Sequence, residues 1–175
     1  MTAHPAVRLL VCGDRNARDA GLALWATGLL LPRLRDQGRR RVEATRCEQL
    51  DVKPLLEVDR RAQLLILDAA AGVPPGEIVT RSLDELIDDP SGPTPRSAGV
   101  PIDQILGVAN VLADAPLRGC FIGMGGASFE AGSTLSPAVR SCLPDYVAAI
   151  LDVVERLDQA GLLSDPCTSA RGHRR

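Results

Sequence analysis

Gln63-Leu64-Leu65-Ile66-Leu67-Asp68 is the most hydrophobic short run in the chain, and it stops abruptly at an acid. An unbroken apolar run of strand length, rich in branched residues, marks a strand covered on both faces, as in a parallel sheet sandwiched by helices. Val7 to Cys12 has the same character and ends at Gly13. Working outward, a helix is expected over Asp19 to Leu31, a half-buried strand over Val42 to Cys47, and a short helix capped by Asp51 through Val58. Beyond the central run, Gly72-Val73-Pro74-Pro75-Gly76 reads as a turn, and Glu77 to Leu83 as a strand returning antiparallel. Ile87 to Gly99 is rich in Pro, Gly, Ser and Asp and reads as a long loop. A helix from Pro101 to about Ala113, a last strand from Leu117 to Gly123 and a final helix from Ser136-Pro137 to Gly161 complete the pattern. Alternation of this kind predicts an α/β three-layer sandwich. Its mostly parallel, twisted sheet would have about five strands, one of them antiparallel, with helices on both faces. Residues 1–163 are expected to form one domain, and 164–175 a polar tail.

Composition sets the wider limits. The chain has 175 residues, 45% of them hydrophobic but only 2% aromatic, so its core must be aliphatic. A length of this order favours one domain that buries its own core. The formal net charge of −2 supplies no field for a phosphate backbone or an anionic bilayer. Arg39 to Arg41 and the Arg171 to Arg175 tail are read as solvated surface, so neither nucleic acid nor membrane is an expected partner. Cys12, Cys47, Cys120, Cys142 and Cys167 are odd in number and scattered, which points to thiols in the cytoplasm. Leu22 to Leu31 is too short an apolar stretch to cross a bilayer.

In parallel α/β sheets, ligands bind beyond the carboxyl ends of the strands. The segments Gly13 to Gly21, Asp68 to Gly72 and Gly123 to Ala127 all follow strands and should meet at one rim. Gly13-Asp14-Arg15-Asn16 lacks the spacing of both the dinucleotide fingerprint and the P-loop, so no nucleotide is expected. Gly13 as a turn and Asp19 as a helix cap explain those two residues equally well.

Three segments, in order, carry a resemblance. Gly13, Asn16, Asp19 and Gly21 resemble a G-x-G-N turn followed by D-[DE]-G. Leu64-Leu65-Ile66-Leu67-Asp68-Ala69 with Pro75-Gly76 resembles an I-x-D-A strand and a P-G hairpin. Ile122-Gly123-Met124-Gly125-Gly126-Ala127-Ser128-Phe129-Glu130-Ala131-Gly132, continuing through Leu135-Ser136-Pro137, resembles a last strand, an E-x-G turn and an L-S-P helix start. Together they resemble the hydrogenase maturation proteases, which trim the carboxyl-terminal extension of nickel-iron hydrogenase large subunits. The likeness spans about residues 7 to 155.

That resemblance implies a nickel-iron hydrogenase large-subunit precursor as partner, with nickel carried by the substrate. It implies Asp68 and Asp19 as catalytic carboxylates, and Gly13, Asn16, Gly123, Gly125 and Glu130 as substrate-binding positions. In the family, nickel is recognised by a glutamate in the first turn, the strand-end aspartate and a histidine in the long loop. Only Asp68 is kept, because Ala20 and Ala98 occupy the other two positions. Alanine offers no donor, so metal binding through Asp68 alone is expected to be weak. Asp14, Asp19 and Glu130 are candidate replacement oxygens, whereas His4 and His173 lie near the termini. Cys12 and Cys120 read as core residues, and Cys47, near a strand end, as an exception that merits testing. Two functions follow: hydrolysis of one peptide bond near the precursor's carboxyl terminus, or docking on that precursor without cleavage. A small-molecule binder on the same architecture is a third reading, since fold does not fix function.

Overall fold

The central apolar run lies in the longest strand of a sheet that, among the described residues, has six strands. The computed structural model describes residues 6–39 and 41–164. The strands are β1 (Val7–Cys12), β2 (Val42–Cys47), β3 (Gln63–Pro75), β4 (Ile78–Ser82), β5 (Thr94–Pro95) and β6 (Gly119–Gly125). Their order is β2-β1-β3-β6-β4, with β5 paired to β3 off that path. The β2-β1, β1-β3 and β3-β6 pairs are parallel, and the β4-β6 and β3-β5 pairs are antiparallel.

The helices are α1 (Leu22–Asp36), α2 (Val52–Leu56), α3 (Leu83–Asp88), α4 (Ile102–Leu112) and α5 (Pro137–Ser164), and a 3-10 turn spans Arg18–Gly21. Side chains alternate across a strand, and β3 shows how they are shared. Leu65, Leu67 and Ala69 pack with α1 and α5, whose Leu22, Leu30, Val139, Tyr146 and Val147 are buried there. Leu64, Ile66 and Ala70 face the other way, against Leu55 of α2, Leu83 and Leu86 of α3, and Ile105 and Leu106 of α4. Each fully buried aliphatic side chain contributes roughly 1.5–3 kcal/mol, so both layers are needed to hold the sheet.

Several elements differ from the expected ones. The first helix begins as the 3-10 turn and continues past Leu31 through Pro32 to Asp36. One proline removes a single ladder bond, which a helix near its end can lose. Leu83, expected in a strand, begins α3. Ser82 Oγ accepts from Glu85 N–H and the Glu85 carboxylate accepts from Ser82 N–H, at 3.1 and 2.6 Å, which closes a capping box. The long loop also contains β5, a second antiparallel strand beyond the one expected. β3 does not stop at Asp68 but runs on to Pro75, with a shift of register against β6 between Ala70 and Pro75. The final helix continues past Gly161 to Ser164. The tail from residue 165, like His4 and His173, lies outside the described residues.

Strand lengths create the rim. β1 and β2 both end in the same row of the sheet, where Cys12 is paired with Cys47. β3 pairs with β1 as far as Leu67 opposite Val11, so Asp68 lies in the row of Cys12 and pairs with Gly123 on its other side. Past that row the edge of β3 is vacant, and β5 fills it by pairing with Ala70 and Ala71.

Candidate active site

Asp68 is 1% exposed and lies in the sequence of side chains that faces α2, α3 and α4. Its Oδ1 accepts from the N–H of Ala69 at 2.7 Å and its Oδ2 from the N–H of Ser97 at 2.8 Å. The Arg96 to Ala98 segment therefore covers the carboxylate, fastened by Arg96 N–H donating to Ala69 O at 2.9 Å. Leu50 N–H donates to the Ser97 carbonyl at 3.2 Å and ties the same segment to the chain beyond β2. Burial pushes the Asp68 carboxyl up from 3.8 to about 6, against the opposing pull of the Ser97 and Ala69 hydrogen bonds and the Arg96 charge. An acid that titrates this close to neutrality can take or give a proton under physiological conditions. On the other face of the sheet, the buried Tyr146 hydroxyl donates to the Ile122 carbonyl at 2.9 Å, with the Asp68 carbonyl 3.4 Å away.

Asp19, the other expected catalytic carboxylate, is fully buried and occupied. Oδ2 accepts from the N–H groups of Ala127 and Ser128 at 2.8 and 2.9 Å and from Ser136 Oγ at 2.7 Å, while Oδ1 accepts from Ser136 N–H at 2.8 Å. Burial alone would raise this acid, but the hydrogen bonds outweigh it and hold the carboxyl below its ordinary value. With its lone pairs engaged inside the protein, Asp19 fastens the first turn to the segment after β6 and to the start of α5. It does not act as a helix cap by side-chain bonding, and it presents no free oxygen to a substrate or metal.

The glycines shape the rim. Gly13 has φ +131°, and a Cβ there would stand 2.0 Å from the Ala20 carbonyl oxygen, so only glycine admits the first turn this close to β1. Gly125 is equally confined, with a notional Cβ 2.0 Å from the Pro74 carbonyl oxygen. Gly123 lies beside Asp68 in the sheet. The Asn16 carbonyl accepts from Gly132 N–H at 2.8 Å, joining the first turn to the loop after β6, while Glu130 is exposed. Asp14 is also exposed and closes a local turn by accepting from Asn16 N–H at 2.8 Å.

Two clefts open at this rim. One of about 340 Å³ is lined by Gly13, Asn16, Arg46, Cys47 and Glu48 among others. The second, about 640 Å³, is lined by Ala71, Thr94, Arg96 and Ala98 among others. Asp68 itself lines neither. The Arg96 guanidinium stacks on the Phe129 ring, 3.5 Å from its centroid. Among the described residues no group of three or more His, Cys, Asp or Glu side chains is arranged to hold a metal.

No protein-family model matches the sequence, and no curated protein matches it significantly. Solved structures do match. The hydrogenase maturating endopeptidase HybD from E. coli superposes with a TM-score of 0.68 at 15% identity, covering 86% of this chain and 92% of its own. The chain has the hydrogenase maturation protease fold. The [NiFe] hydrogenase maturation protease HybD from Thermococcus kodakarensis gives a TM-score of 0.66 at 18% identity, covering 83% and 97%. HycI from the same organism gives 0.59 at 12%, covering 88% and 95%. Within this maturation-protease fold, the feature that sequence reasoning missed is the Cys12–Cys47 pair. Their Sγ atoms are 2.9 Å apart, and the sequence offered no more than the place of each residue at the end of an expected strand.

Proposed function

We propose that the chain acts on the large-subunit precursor of a nickel-iron hydrogenase in the cytoplasm, hydrolysing one peptide bond to release its carboxyl-terminal extension. The observation that carries this reading is the near-complete superposition on maturation proteases, 86% and 92% in both directions, combined with an acid of raised pKa at the strand-end rim. Asp68 is the proposed proton acceptor for the attacking water, and for this the Arg96 to Ala98 cover must lift. Arg96, whose charge lowers the Asp68 carboxyl and which lines the neighbouring cleft, is the proposed group to offset negative charge developing on the scissile carbonyl.

The donor set does not fit a three-ligand metal site in this chain. Ala20 and Ala98 carry no donor atoms, Asp19 is engaged by four hydrogen bonds, and Asp68 is held by two backbone N–H groups. In this reading nickel belongs to the substrate and is not held by this protein. The same observation favours a second reading, a family-like fold that docks on the precursor without cutting it.

The two readings separate in one experiment. Purified full-length protein is incubated with nickel-loaded precursor, and the mass of the large subunit and the composition of any complex are measured. Loss of the extension establishes cleavage, a stable complex at unchanged mass establishes docking, and absence of both refutes action on this precursor.

A further inference from the structure

Outside the Asp68 chemistry, the rim holds two thiols that no proteolytic step uses. Cys12 and Cys47 end neighbouring parallel strands in the same row, and their sulfur atoms are 2.9 Å apart. Adjacent strands lie about 4.8 Å apart, inside the Cα separation of roughly 4.4–6.8 Å that a disulfide spans. Closing the gap to a bond of about 2.05 Å needs only a small approach. Among the described residues β2 is the last strand on its side of the sheet and can make that approach without unpairing a second neighbour.

The two sulfurs are unequal. Cys12 is fully buried, whereas Cys47 is half-buried and lines the 340 Å³ cleft. Asp14, Arg15, Arg46 and Glu48 line the same cleft, two acids against two bases, so its mouth favours neither cationic nor anionic reagents strongly. The hydrogen bond it shares with Cys12 holds the Cys47 thiol below its ordinary value. Cys12 itself is raised, by that same pairing and then by burial.

We propose that Cys12 and Cys47 are a thiol-modification site that forms a reversible intrachain disulfide, oxidised by small-molecule disulfides entering the cleft. The Cys47 thiolate attacks one sulfur of R–S–S–R, forms the mixed disulfide and releases RS⁻, which takes up the Cys47 proton as RSH. Cys12 then gives up its proton and attacks Cys47 Sγ. The Cys47–SR bond breaks, the protein disulfide forms, and a second RSH leaves. Two protein thiols lose two electrons in all, and one R–S–S–R becomes two RSH. The product pins the carboxyl end of β2 to β1 and alters the wall of the cleft. This chemistry does not depend on proteolysis.

The test treats reduced full-length protein with hydroxyethyl disulfide, a neutral probe, quenches in acid, alkylates the free thiols and maps the peptides. The expected result is a Cys12 peptide linked to a Cys47 peptide, both thiols leaving the alkylatable pool at one rate and returning together with a reductant, while Cys120 stays free. Cys12→Ser should halt at a stable adduct on Cys47. Cys47→Ser, a change on the edge strand, should leave Cys12 unreacted. A wild-type adduct that remains on Cys47, a bridge to any other cysteine, or no reaction at Cys47 would each overturn the assignment.

Discussion

Replacing Asp68 by asparagine should remove a pH dependence of stability whose size and sign follow from its surroundings. The carboxyl is buried and raised from 3.8 to about 6, so between those values the folded protein holds a proton that the unfolded chain has released. Its contribution to stability is thus fully present below the unfolded value and is lost as pH rises through about 6. At about 1.4 kcal/mol per pH unit, the loss is about 3 kcal/mol. Asparagine keeps the shape and cannot ionise. Its amide can satisfy one of the Ala69 and Ser97 N–H groups but opposes the other, a penalty of about 1–3 kcal/mol that does not vary with pH. Urea unfolding of both proteins should be followed from about pH 3.5 to 8. The wild-type stability minus that of D68N should fall by about 3 kcal/mol across the range, while titrations common to both proteins cancel. A flat difference would mean that the hydrogen bonds and Arg96 fully offset burial, and a rising one that they exceed it. Either result would refute the ordering of effects at this site.

Asp19→Asn should cost about 3 kcal/mol or more in urea unfolding at neutral pH, because either orientation of its amide sets the nitrogen against an N–H group and the remaining bonds lose their charged acceptor. In the wild type, the contribution of Asp19 is present above the unfolded carboxyl value and is lost as pH falls through the lower folded one. A loss under 1 kcal/mol for D19N would contradict the anchoring role. Gly125→Ala should lower the thermal midpoint with a cost of about 3 kcal/mol, since backbone must move to admit the methyl group against Pro74, and an unchanged midpoint would show that the rim yields freely. Restoring donors with Ala20→Glu and Ala98→His should tighten nickel binding in calorimetric titration relative to the natural chain. Equal affinities would mean that residues 20 and 98 do not converge with Asp68.

The layered architecture was legible because Leu64 to Leu67 and Val7 to Cys12 are apolar without a break, and few arrangements other than a covered parallel sheet bury such runs. Element ends were less legible. Ser82-Leu83-Asp84-Glu85 carries the spacing of a capping box, yet the alternation of the preceding strand masks the switch to α3. β5 is two residues long and owes its existence to the edge vacated by β1, a tertiary fact with no local pattern. At the site, Asp68 could be singled out by its position after an apolar run, but its enclosure by Ser97 arises from a contact 29 residues away. Asp19 could be noticed but not assigned, since nothing nearby in sequence foretells partners at Ala127, Ser128 and Ser136. The Cys12–Cys47 pairing depends on strand register, which only the assembled sheet fixes.

The partners of Asp19 also bear on the order in which the protein matures during its own synthesis. They lie 108 to 117 residues downstream, so when the first turn leaves the ribosome none of its carboxylate's hydrogen-bond donors has yet been made. The first turn can take its final form only after β6 has joined the sheet and α5 has begun, a late, long-range closure of the kind that slows folding. Until that closure, a nascent chain can already hold β1 and β3 side by side while its rim stays open. The molecule therefore becomes competent at this rim only once Ser136 has been made, whatever the speed at which its central strands assemble.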